Sequence, residues 1–401
     1  MKVLVLNSGS SSVKYRLFEM DRREEVAGGV VERIGEPDGA ITQRVRRGDG
    51  SVDTSVRHLP VPSHRAAFAL MGEALRSGGG LDDPRKLYAI GHRVVHGGPV
   101  FRAPARIDAA VVAAIREVAP LAPLHNPGHL VGIEAALEAA PDVPQVAVFD
   151  TAFHQTMPAR AYRYAVPEEW YTRHRVRRYG FHGTSHAYVA RRAADYLGRS
   201  LEGLNLITLH LGNGASAAAV EGGRCVDTSM GLTPLAGLVM GTRSGDLDPA
   251  VVFYLGRVAG LEPAEIDAAL NQESGLKGLC GVPDLREVHR AADAGDPRAL
   301  LALDVFAYRI RKYIGAYTAV LGRVDAVVFT AGIGENDADL RRRVCGGLEG
   351  LGITLDEERN RSAAGEVSEV HAARSRVALL VVRTNEELEI AEQTVACARG
   401  C

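Results

Sequence analysis

Several features that define other protein classes are missing from this 401-residue sequence. Its formal net charge is −2, so it lacks the positive excess that a nucleic-acid or anionic-membrane surface needs. Its five cysteines, at positions 225, 280, 345, 397 and 401, form no C-x-x-C pair, which favours reduced thiols over a disulfide framework. No apolar run is long enough for a membrane span or a signal peptide. We therefore expect a cytoplasmic protein without nucleic-acid or membrane partners.

The length and the order of the elements predict two α/β domains. A chain of 401 residues is too long for one ordinary core. Apolar strands alternate with amphipathic helices, which is typical of sheets with parallel crossovers. We expect one domain at residues 1–150, joined by a final helix at about residues 385–401, and a second domain at residues 151–384. The boundary near residue 150 is expected to be a hinge in a cleft.

Two turns rich in glycine, serine and asparagine each follow an apolar strand. The first is NSGSSS at residues 7–12, and the second is GNGAS at residues 212–216. An offset of 214 − 9 = 205 residues aligns Gly9 with Gly214. Such turns can bring backbone N–H groups and hydroxyls close to a phosphate. Two of them suggest two lobes that hold one polyphosphate, although each turn alone could be a simple hairpin turn.

The spacing of the glycines excludes the two best-known nucleotide motifs. The first turn continues as SSSVK and does not match G-x-x-x-x-G-K-[ST]. Neither residues 212–214 nor residues 332–334 have the third glycine of a dinucleotide fingerprint. The sequence therefore supports neither a P-loop nor a Rossmann site.

Histidines spaced four residues apart raise the alternative of a zinc hydrolase. The three pairs are His92 and His96, His125 and His129, and His182 and His186. The first pair lies in a predicted strand, where four residues span about 13 Å, and residues 125–128 are predicted to form a turn. No H-E-x-x-H motif occurs. His182 differs because its glycine-flanked segment precedes a predicted helix start, where an imidazole could contact a transferring phosphoryl group or could simply stabilise the turn.

Charged residues beside apolar segments are candidates for anion and metal binding. Arg93 interrupts a predicted buried strand, and its charge needs a partner such as a small carboxylate. Arg243 lies in a glycine-rich loop and could bring a guanidinium to an anion. Asp150 ends a strand, where α/β sheets place ligand contacts. Near the C-terminus, a predicted capping box of Thr384 and Glu387 leaves Glu386 available for Mg²⁺.

Six segments together resemble the acetokinase family across essentially the whole chain. They are residues 7–14, 91–98, 179–186, 210–214, 332–336 and 384–387. The resemblance implies a fold of two lobes with a duplicated ribonuclease H-like core around a cleft, shared with sugar kinases, actin and the heat-shock ATPases. It also implies a homodimer that transfers a phosphoryl group reversibly from ATP to acetate, giving acetyl phosphate and ADP, with Mg²⁺ or Mn²⁺.

The resemblance also implies roles for individual residues. Asn7 and Glu386 match the metal positions, and Arg93 matches the carboxylate-binding arginine. Asp150 matches the catalytic acid/base, while His182 and Arg243 match the pair that stabilises the transition state. The substrate methyl group is expected to contact Val95, Leu124, Phe181 and Pro234. The ATP positions are Lys14, His210, Leu211, Gly212, Asn213, Gly214, Asp284, Leu285, Arg286, Gly332, Ile333, Gly334, Glu335 and Asn336.

Chemistry and sequence leave some points open. Acetate is already ionised at neutral pH, so Asp150 is better interpreted as orienting Arg93 or a magnesium-bound water than as an obligatory base. Residues 278–286 (GLCGVPDLR) depart from the family pattern, which leaves the nucleotide preference open. A propionate or butyrate kinase is an alternative within the family. An actin-like ATP-binding protein without an acyl substrate is another, although the two arginines and the apolar residues argue against it.

Overall fold

The structure is a computed structural model that describes residues 1–78, 80–81, 83–123 and 125–400. The chain divides into two compact units, Met1–Ala152 with Asn385–Cys401, and Phe153–Thr384. The four described cysteines, at positions 225, 280, 345 and 397, are free thiols. No helix in the described ranges is long and apolar enough to cross a membrane.

The first unit contains an eight-stranded sheet with the order β5-β4-β3-β2-β1-β6-β8-β7. Its strands are β1 (Lys2–Ser8), β2 (Ser12–Glu19), β3 (Glu24–Glu32), β4 (Ala40–Arg46), β5 (Val52–His58), β6 (Ala89–Val94), β7 (Ala105–Arg106) and β8 (Gln145–Phe149). β1, β6 and β8 are parallel, and β1 to β5 form an antiparallel meander.

Helices cover both faces of this sheet because alternate residues of β1 point to opposite sides. They are α1 (His64–Ser77), α2 (Ala109–Glu117), α3 (Asn126–Ala139) and the last helix of the chain, α15 (Glu386–Ala398). Leu4 and Leu6 belong to a core cluster with residues of α1 and α3. Val3 and Val5 belong to another with α15. The glycine at position 91 lets α15 approach β6, since a Cβ atom there would lie 2.2 Å from Thr394 Oγ1.

The second unit contains a six-stranded sheet with the order β11-β10-β9-β12-β14-β13. Its strands are β9 (Asn205–Leu211), β10 (Ala215–Glu221), β11 (Arg224–Thr228), β12 (Ala326–Thr330), β13 (Val367–Glu369) and β14 (Ala378–Val382). β9, β12 and β14 are parallel, whereas β10 is antiparallel to both β9 and β11.

Eleven helices are described in the second unit. They are α4 (Ala159–Tyr162), α5 (Glu168–Thr172), α6 (Gly183–Tyr196), α7 (Ala250–Ala259), α8 (Pro263–Gln272), α9 (Gly275–Cys280), α10 (Leu285–Asp293), α11 (Pro297–Leu321), α12 (Ala331–Asn336), α13 (Ala338–Cys345) and α14 (Glu357–Arg361). Val189 and Ala193 of α6 pack with residues of β9, β10, β12 and β14 in one core cluster. The long helix α11 packs against β9 and β10.

The two sheets repeat one arrangement of five strands. In the first unit it reads β3-β2-β1-β6-β8, and in the second β11-β10-β9-β12-β14, with matching parallel and antiparallel pairs. The first glycine turn joins β1 to β2, and the second joins β9 to β10, the corresponding pair of the second unit. The predicted α/β fold with a duplicated core is therefore confirmed.

Serine and aspartate side chains cap three of the helices, whereas two local predictions are wrong. Ser63, Asp108 and Asp296 are the N-caps of α1, α2 and α11. The predicted turn at residues 125–128 is instead the start of α3, because proline is compatible with the first helical turn. The predicted capping box at residue 384 is also wrong, since Asn385 caps α15 by accepting the Leu388 N–H at 3.0 Å.

Candidate active site

Arg93 and Asp150 form a buried ion pair in the first unit. Arg93 lies on β6 and Asp150 directly follows β8, the parallel neighbour of β6. Arg93 Nη2 donates to Asp150 Oδ2 at 2.8 Å, and Nε lies 3.1 Å from Oδ1. The carboxylate that neutralises Arg93 is therefore a residue of the protein, where the sequence suggested a small-molecule carboxylate. The Arg93 Nη1 group makes no hydrogen bond to any described residue.

Acidic groups surround this pair. Asp150 is 1% exposed and Arg93 is 24% exposed. Asp150 raises the pKa of Arg93, with Glu386 and Glu387 contributing. Burial raises the pKa of Asp150, Arg93 opposes that rise, and Glu386 adds to it. Glu386 therefore lies close enough to both groups for its charge to act on them.

Asn7 and Lys14 face each other across the first glycine turn. They are paired in the register of β1 and β2, with Asn7 half-buried and Lys14 exposed. Within the turn, the Gly9 N–H donates to the Ser12 carbonyl at 2.7 Å. Helix α3 packs so closely that a Cβ atom on Gly128 would lie 2.8 Å from the Gly9 carbonyl carbon. Two predicted ligands of metal and ATP thus share one end of this hairpin.

The predicted contacts of the substrate methyl group that the structure describes are divided between the two units. Val95 is buried in the first unit, and its N–H donates to His129 Nδ1 at 3.2 Å. Phe181 is buried in the second unit, and Pro234 there is half-buried. Leu124 lies outside the described residues.

His182 occupies a strained position at the start of α6. Its φ is 58°, in the left-handed region that side chains rarely adopt, and it is the N-cap of the helix. Its Nδ1 lies 2.9 Å from Ser216 Oγ, and its ring stacks on that of His210 with 4.1 Å between centroids. This side chain is therefore fixed by the second glycine turn and the strands beside it.

Arg243 lies beside the same turn. Its Nη1 donates to the Pro234 carbonyl at 2.8 Å, and it has no carboxylate partner in the described part of the chain. Burial lowers the pKa of Arg243. A Cβ atom on Gly214 would lie 3.4 Å from Arg243 Nη2 and 3.7 Å from His182 Nε2. The absence of a side chain at Gly214 thus leaves space between a guanidinium and an imidazole.

Eight of the predicted ATP residues line a cavity of about 900 Å³ in the second unit. They are Gly212, Asn213, Asp284, Leu285, Arg286, Gly332, Ile333 and Asn336. The other predicted ATP residues do not line it, namely Lys14, His210, Leu211, Gly214, Gly334 and Glu335. Of those, Glu335 instead accepts the Thr384 N–H at 3.0 Å. The volume is in the range of pockets that enclose ligands of nucleotide size.

Sequence reasoning missed four residues of this cavity, Pro283, His289, Asp337 and Ala338. His289 Nε2 lies 2.7 Å from Asp337 Oδ2, which raises the pKa of His289. On the same wall, hydrogen bonds from Arg286 hold the pKa of Asp284 at about 2. The helical spacing could have identified His289, which lies one turn after Leu285 on α10.

The histidine pairs have partners other than a metal. His92 Nε2 lies 2.8 Å from Gln145 Oε1, and burial lowers the pKa of His92 to about 4. His186 lies between Thr208 and Ser216, at 2.7 and 2.8 Å. Within the described ranges, no group of three or more His, Cys, Asp or Glu residues could hold a metal ion. The zinc hydrolase alternative therefore has no matching set of ligands there.

Comparisons with known proteins agree along the whole chain. The sequence model of the Acetokinase family matches residues 2–392. The acetate kinase of Streptomyces griseus is 58% identical over 396 residues, which are 98% of this chain and 96% of that protein. The acetate kinase of Syntrophobacter fumaroxidans is 52% identical over 400 residues, covering 100% and 97% of the two chains.

Solved structures share the fold. The crystal structure of Porphyromonas gingivalis acetate kinase matches with a TM-score of 0.93 and 44% identity over 98% of this chain and 99% of that one. A propionate kinase from Francisella tularensis matches with a TM-score of 0.91 and 41% identity over the same shares. The family match, the relatives and the shared fold define the chain as a kinase with two α/β units. It belongs to the acetokinase family.

Proposed function

We propose that this protein transfers a phosphoryl group reversibly from ATP to acetate, giving acetyl phosphate and ADP. The single observation that carries the proposal is the surroundings of Gly214, where Arg243 and His182 flank a position without a side chain. Arg243 has no carboxylate partner among the described residues, and it lies with the His182 imidazole beside Gly214, in the turn whose Gly212 and Asn213 line the cavity. This arrangement suits a phosphoryl group that gains charge during transfer.

Acetate is assigned to Arg93. Its Nε and Nη2 groups are held by Asp150, which fixes the plane of the guanidinium and leaves Nη1 to donate to a second carboxylate. Asp150 therefore acts by orienting Arg93. A substrate carboxylate is ionised at neutral pH and needs no base, so catalysis consists of positioning and charge neutralisation.

ATP is assigned to the cavity of about 900 Å³. Gly212, Asn213 and Gly332, at the start of α12, line this cavity. The Gly212 N–H already donates to the Gly214 carbonyl at 3.1 Å, so the backbone N–H groups of Asn213 and Gly332 are assigned to the phosphates. The base and ribose would then lie toward α10, where Asp284 and Arg286 form an ion pair. Lys14 is assigned to the transferring phosphate.

Mg²⁺ is assigned to Asn7 and Glu386, and Mn²⁺ could replace it. Both residues offer the oxygen ligands that these ions prefer, and Mg²⁺ normally keeps several waters and phosphate oxygens. The charge of Glu386 raises the pKa of Asp150, so the region carries negative charge that a divalent cation would balance. When bound, the ion would neutralise charge on the phosphate oxygens.

A propionate kinase is the second candidate because a propionate kinase shares the fold at 41% identity. Val95 and Phe181 are bulky and buried, which favours the short methyl group of acetate. One extra methylene changes discrimination by only about 1–3 kcal/mol, so activity on both acids is expected.

Trapping of the acyl phosphate as a hydroxamate tests the proposal. The purified chain should form hydroxamate from ATP and acetate in the presence of Mg²⁺, with lower kcat/KM for propionate and butyrate. A matched reaction without any carboxylic acid and with ADP detection measures any simple ATP hydrolysis. ATP hydrolysis without hydroxamate from any short-chain acid would instead indicate an actin-like ATPase.

We also infer that the protein forms a homodimer. Helix α7 exposes large apolar side chains, with Val251 37%, Phe253 65%, Tyr254 55% and Val258 66% exposed. Several large exposed apolar side chains on one helix are typical of a protein–protein interface. Sedimentation velocity measures the mass of the particle, and a monomer at micromolar concentration would contradict the inference.

A further inference from the structure

One hydroxyl group lies between two histidine rings in the second unit. Ser216 Oγ lies 2.9 Å from His182 Nδ1 and 2.8 Å from His186 Nε2. On the far side, His186 Nδ1 lies 2.7 Å from Thr208 Oγ1. Thr208, His186 and Ser216 are fully buried. These four side chains form a hydrogen-bonded series that runs from β9 through α6 and β10 to His182.

The direction of the hydrogen bonds follows from the Thr208 hydroxyl. It has one proton, and its side chain has one hydrogen-bond partner in the described part of the chain, His186 Nδ1. If His186 donated this bond, the buried Thr208 proton would have no acceptor, which is unfavourable. Thr208 therefore donates, and His186 Nδ1 accepts.

The remaining protons are then determined. Burial holds the pKa of His186 well below its ordinary value, so the ring is neutral and its single proton is on Nε2. His186 Nε2 thus donates to Ser216 Oγ. The Ser216 proton is left for its other partner, His182 Nδ1, which accepts it. A neutral His182 consequently carries its own proton on Nε2.

The protonated nitrogen lies on the side of the proposed phosphoryl site. His182 Nε2 would be 3.7 Å from a Cβ atom on Gly214, and Arg243 Nη2 would be 3.4 Å from that atom. A phosphoryl oxygen in this space needs hydrogen-bond donors, and the opposite tautomer would present a lone pair to it.

We propose that Thr208, His186 and Ser216 are positioning residues that hold His182 in the Nε2–H tautomer, so that this N–H donates to the transferring phosphoryl group. The inference rests on the proposed phosphoryl transfer. The three residues act through His182 and do not themselves contact the substrate.

NMR of the histidine rings tests the tautomer without measuring activity. In ¹⁵N-labelled protein, His182 should show a non-protonated Nδ1 and a protonated Nε2, and Ser216→Ala should give a mixture of both forms. His182→Ala identifies the resonances. A protonated Nδ1 in the neutral wild-type ring would overturn the proposal.

Kinetics separates positioning from a structural role. Ser216→Ala should lower kcat by roughly 10- to 100-fold, as loss of an orienting partner commonly does, with little change in the KM of acetate or ATP. Ser216→Thr keeps the hydroxyl and should recover most of the loss. If Ser216→Ala does not fold, Thr208→Val removes the far hydroxyl and should lower kcat by a smaller factor.

A double variant decides whether the hydroxyl acts through His182. In a His182→Ala background, Ser216→Ala should cause no further loss of kcat. An equal loss in both backgrounds would overturn the proposal. If the wild-type protein forms no acyl phosphate, the proposed function fails instead, and the NMR result still reports the tautomer.

Discussion

The two glycine turns share one backbone plan and differ in what surrounds them. The first packs against helix α3, where Gly128 approaches the Gly9 carbonyl carbon, and His64 Nε2 lies 2.8 Å from the Gly9 carbonyl oxygen. The second lies beside the side chains of His182 and Arg243. Duplication therefore repeats the strand–turn–strand geometry, while the neighbours of each turn decide its chemistry.

The two arginines differ in the same way. Arg93, in the first unit, is neutralised by Asp150, whereas the one hydrogen bond that the Arg243 guanidinium makes to the described part of the chain is to the Pro234 carbonyl oxygen. A partly buried cation without an anionic partner is costly, and a ligand anion relieves that cost. The comparison predicts that Arg243 serves the transition state and that Arg93 serves acetate binding.

The largest effect is expected for Arg243→Ala. We expect kcat to fall by about 10³-fold, because a cation that stabilises the developing phosphoryl charge is lost, with a smaller change in the acetate KM. Arg93→Ala should mainly raise that KM. Steady-state kinetics of both variants checks the contrast.

Arg309→Ala is the matched control for the loop of Arg243. Arg309 also donates to a loop carbonyl, that of Asp246, at 2.9 Å. It is not one of the residues assigned to acetate, ATP or Mg²⁺. Its kcat should stay close to that of the wild type. A raised acetate KM with unchanged kcat in Arg243→Ala would make that arginine a ground-state binder and remove the contrast.

An intermediate effect is expected from adding one methyl group at each turn. Gly128→Ala places Cβ 2.8 Å from backbone of the first turn, which should lower the free energy of unfolding by about 1–3 kcal/mol. Gly214→Ala meets the end of the Arg243 side chain at 3.4 Å, so it should change stability little and slow phosphoryl transfer.

Urea unfolding and kcat, measured on both glycine variants, give the test. Each variant is the control for the other, since the added group is identical. A destabilised Gly214→Ala with normal kcat per folded molecule would mean that the space beside Gly214 does not hold the transferring group.

The smallest effect is expected on stability, from a change to the His289–Asp337 pair in the cavity of the second unit. Asp337 raises the pKa of His289 in the folded state, so the interaction stabilises the fold below the unfolded pKa of about 6.5 and is lost as pH rises through the higher folded value. Asp337→Asn should therefore destabilise the protein more at pH 6 than at pH 9, by less than about 1 kcal/mol.

Asparagine keeps an acceptor for the Leu340 N–H, which Asp337 Oδ1 caps at 2.8 Å, so helix α13 is preserved. Thermal unfolding at the two pH values measures the difference. In a His289→Gln background the pH dependence of the effect should disappear. Its persistence there would assign the titration to another group.

Local patterns predicted much of the fold. The strand predicted to end at Asp150 is present as β8, and all five of its residues are buried. Strands β3 to β5 were not predicted, and β5 is exposed at every position, so it has no apolar period to recognise. The proline at position 127 suggested a turn, yet it lies in the first turn of α3, where it is tolerated.

The contacts within the site were predicted less completely than the fold, because they join residues that are far apart in the sequence. The sequence selects Arg93 and Asp150 separately, but their ion pair joins residues 57 positions apart through neighbouring strands. The series through Ser216 likewise depends on β9, α6 and β10 coming together. The roles assigned to the site residues stay predictions that the variants above test.

The placement of α15 has a consequence for the order in which the chain is synthesised. Residues 153–384, which form the second unit, emerge from the ribosome before the helix that covers Val3 and Val5 of the first. Domains generally fold as units while synthesis proceeds. The first unit is therefore the first to be synthesised and the last to be completed. One apolar face of its sheet stays without helix α15 while the second unit is translated.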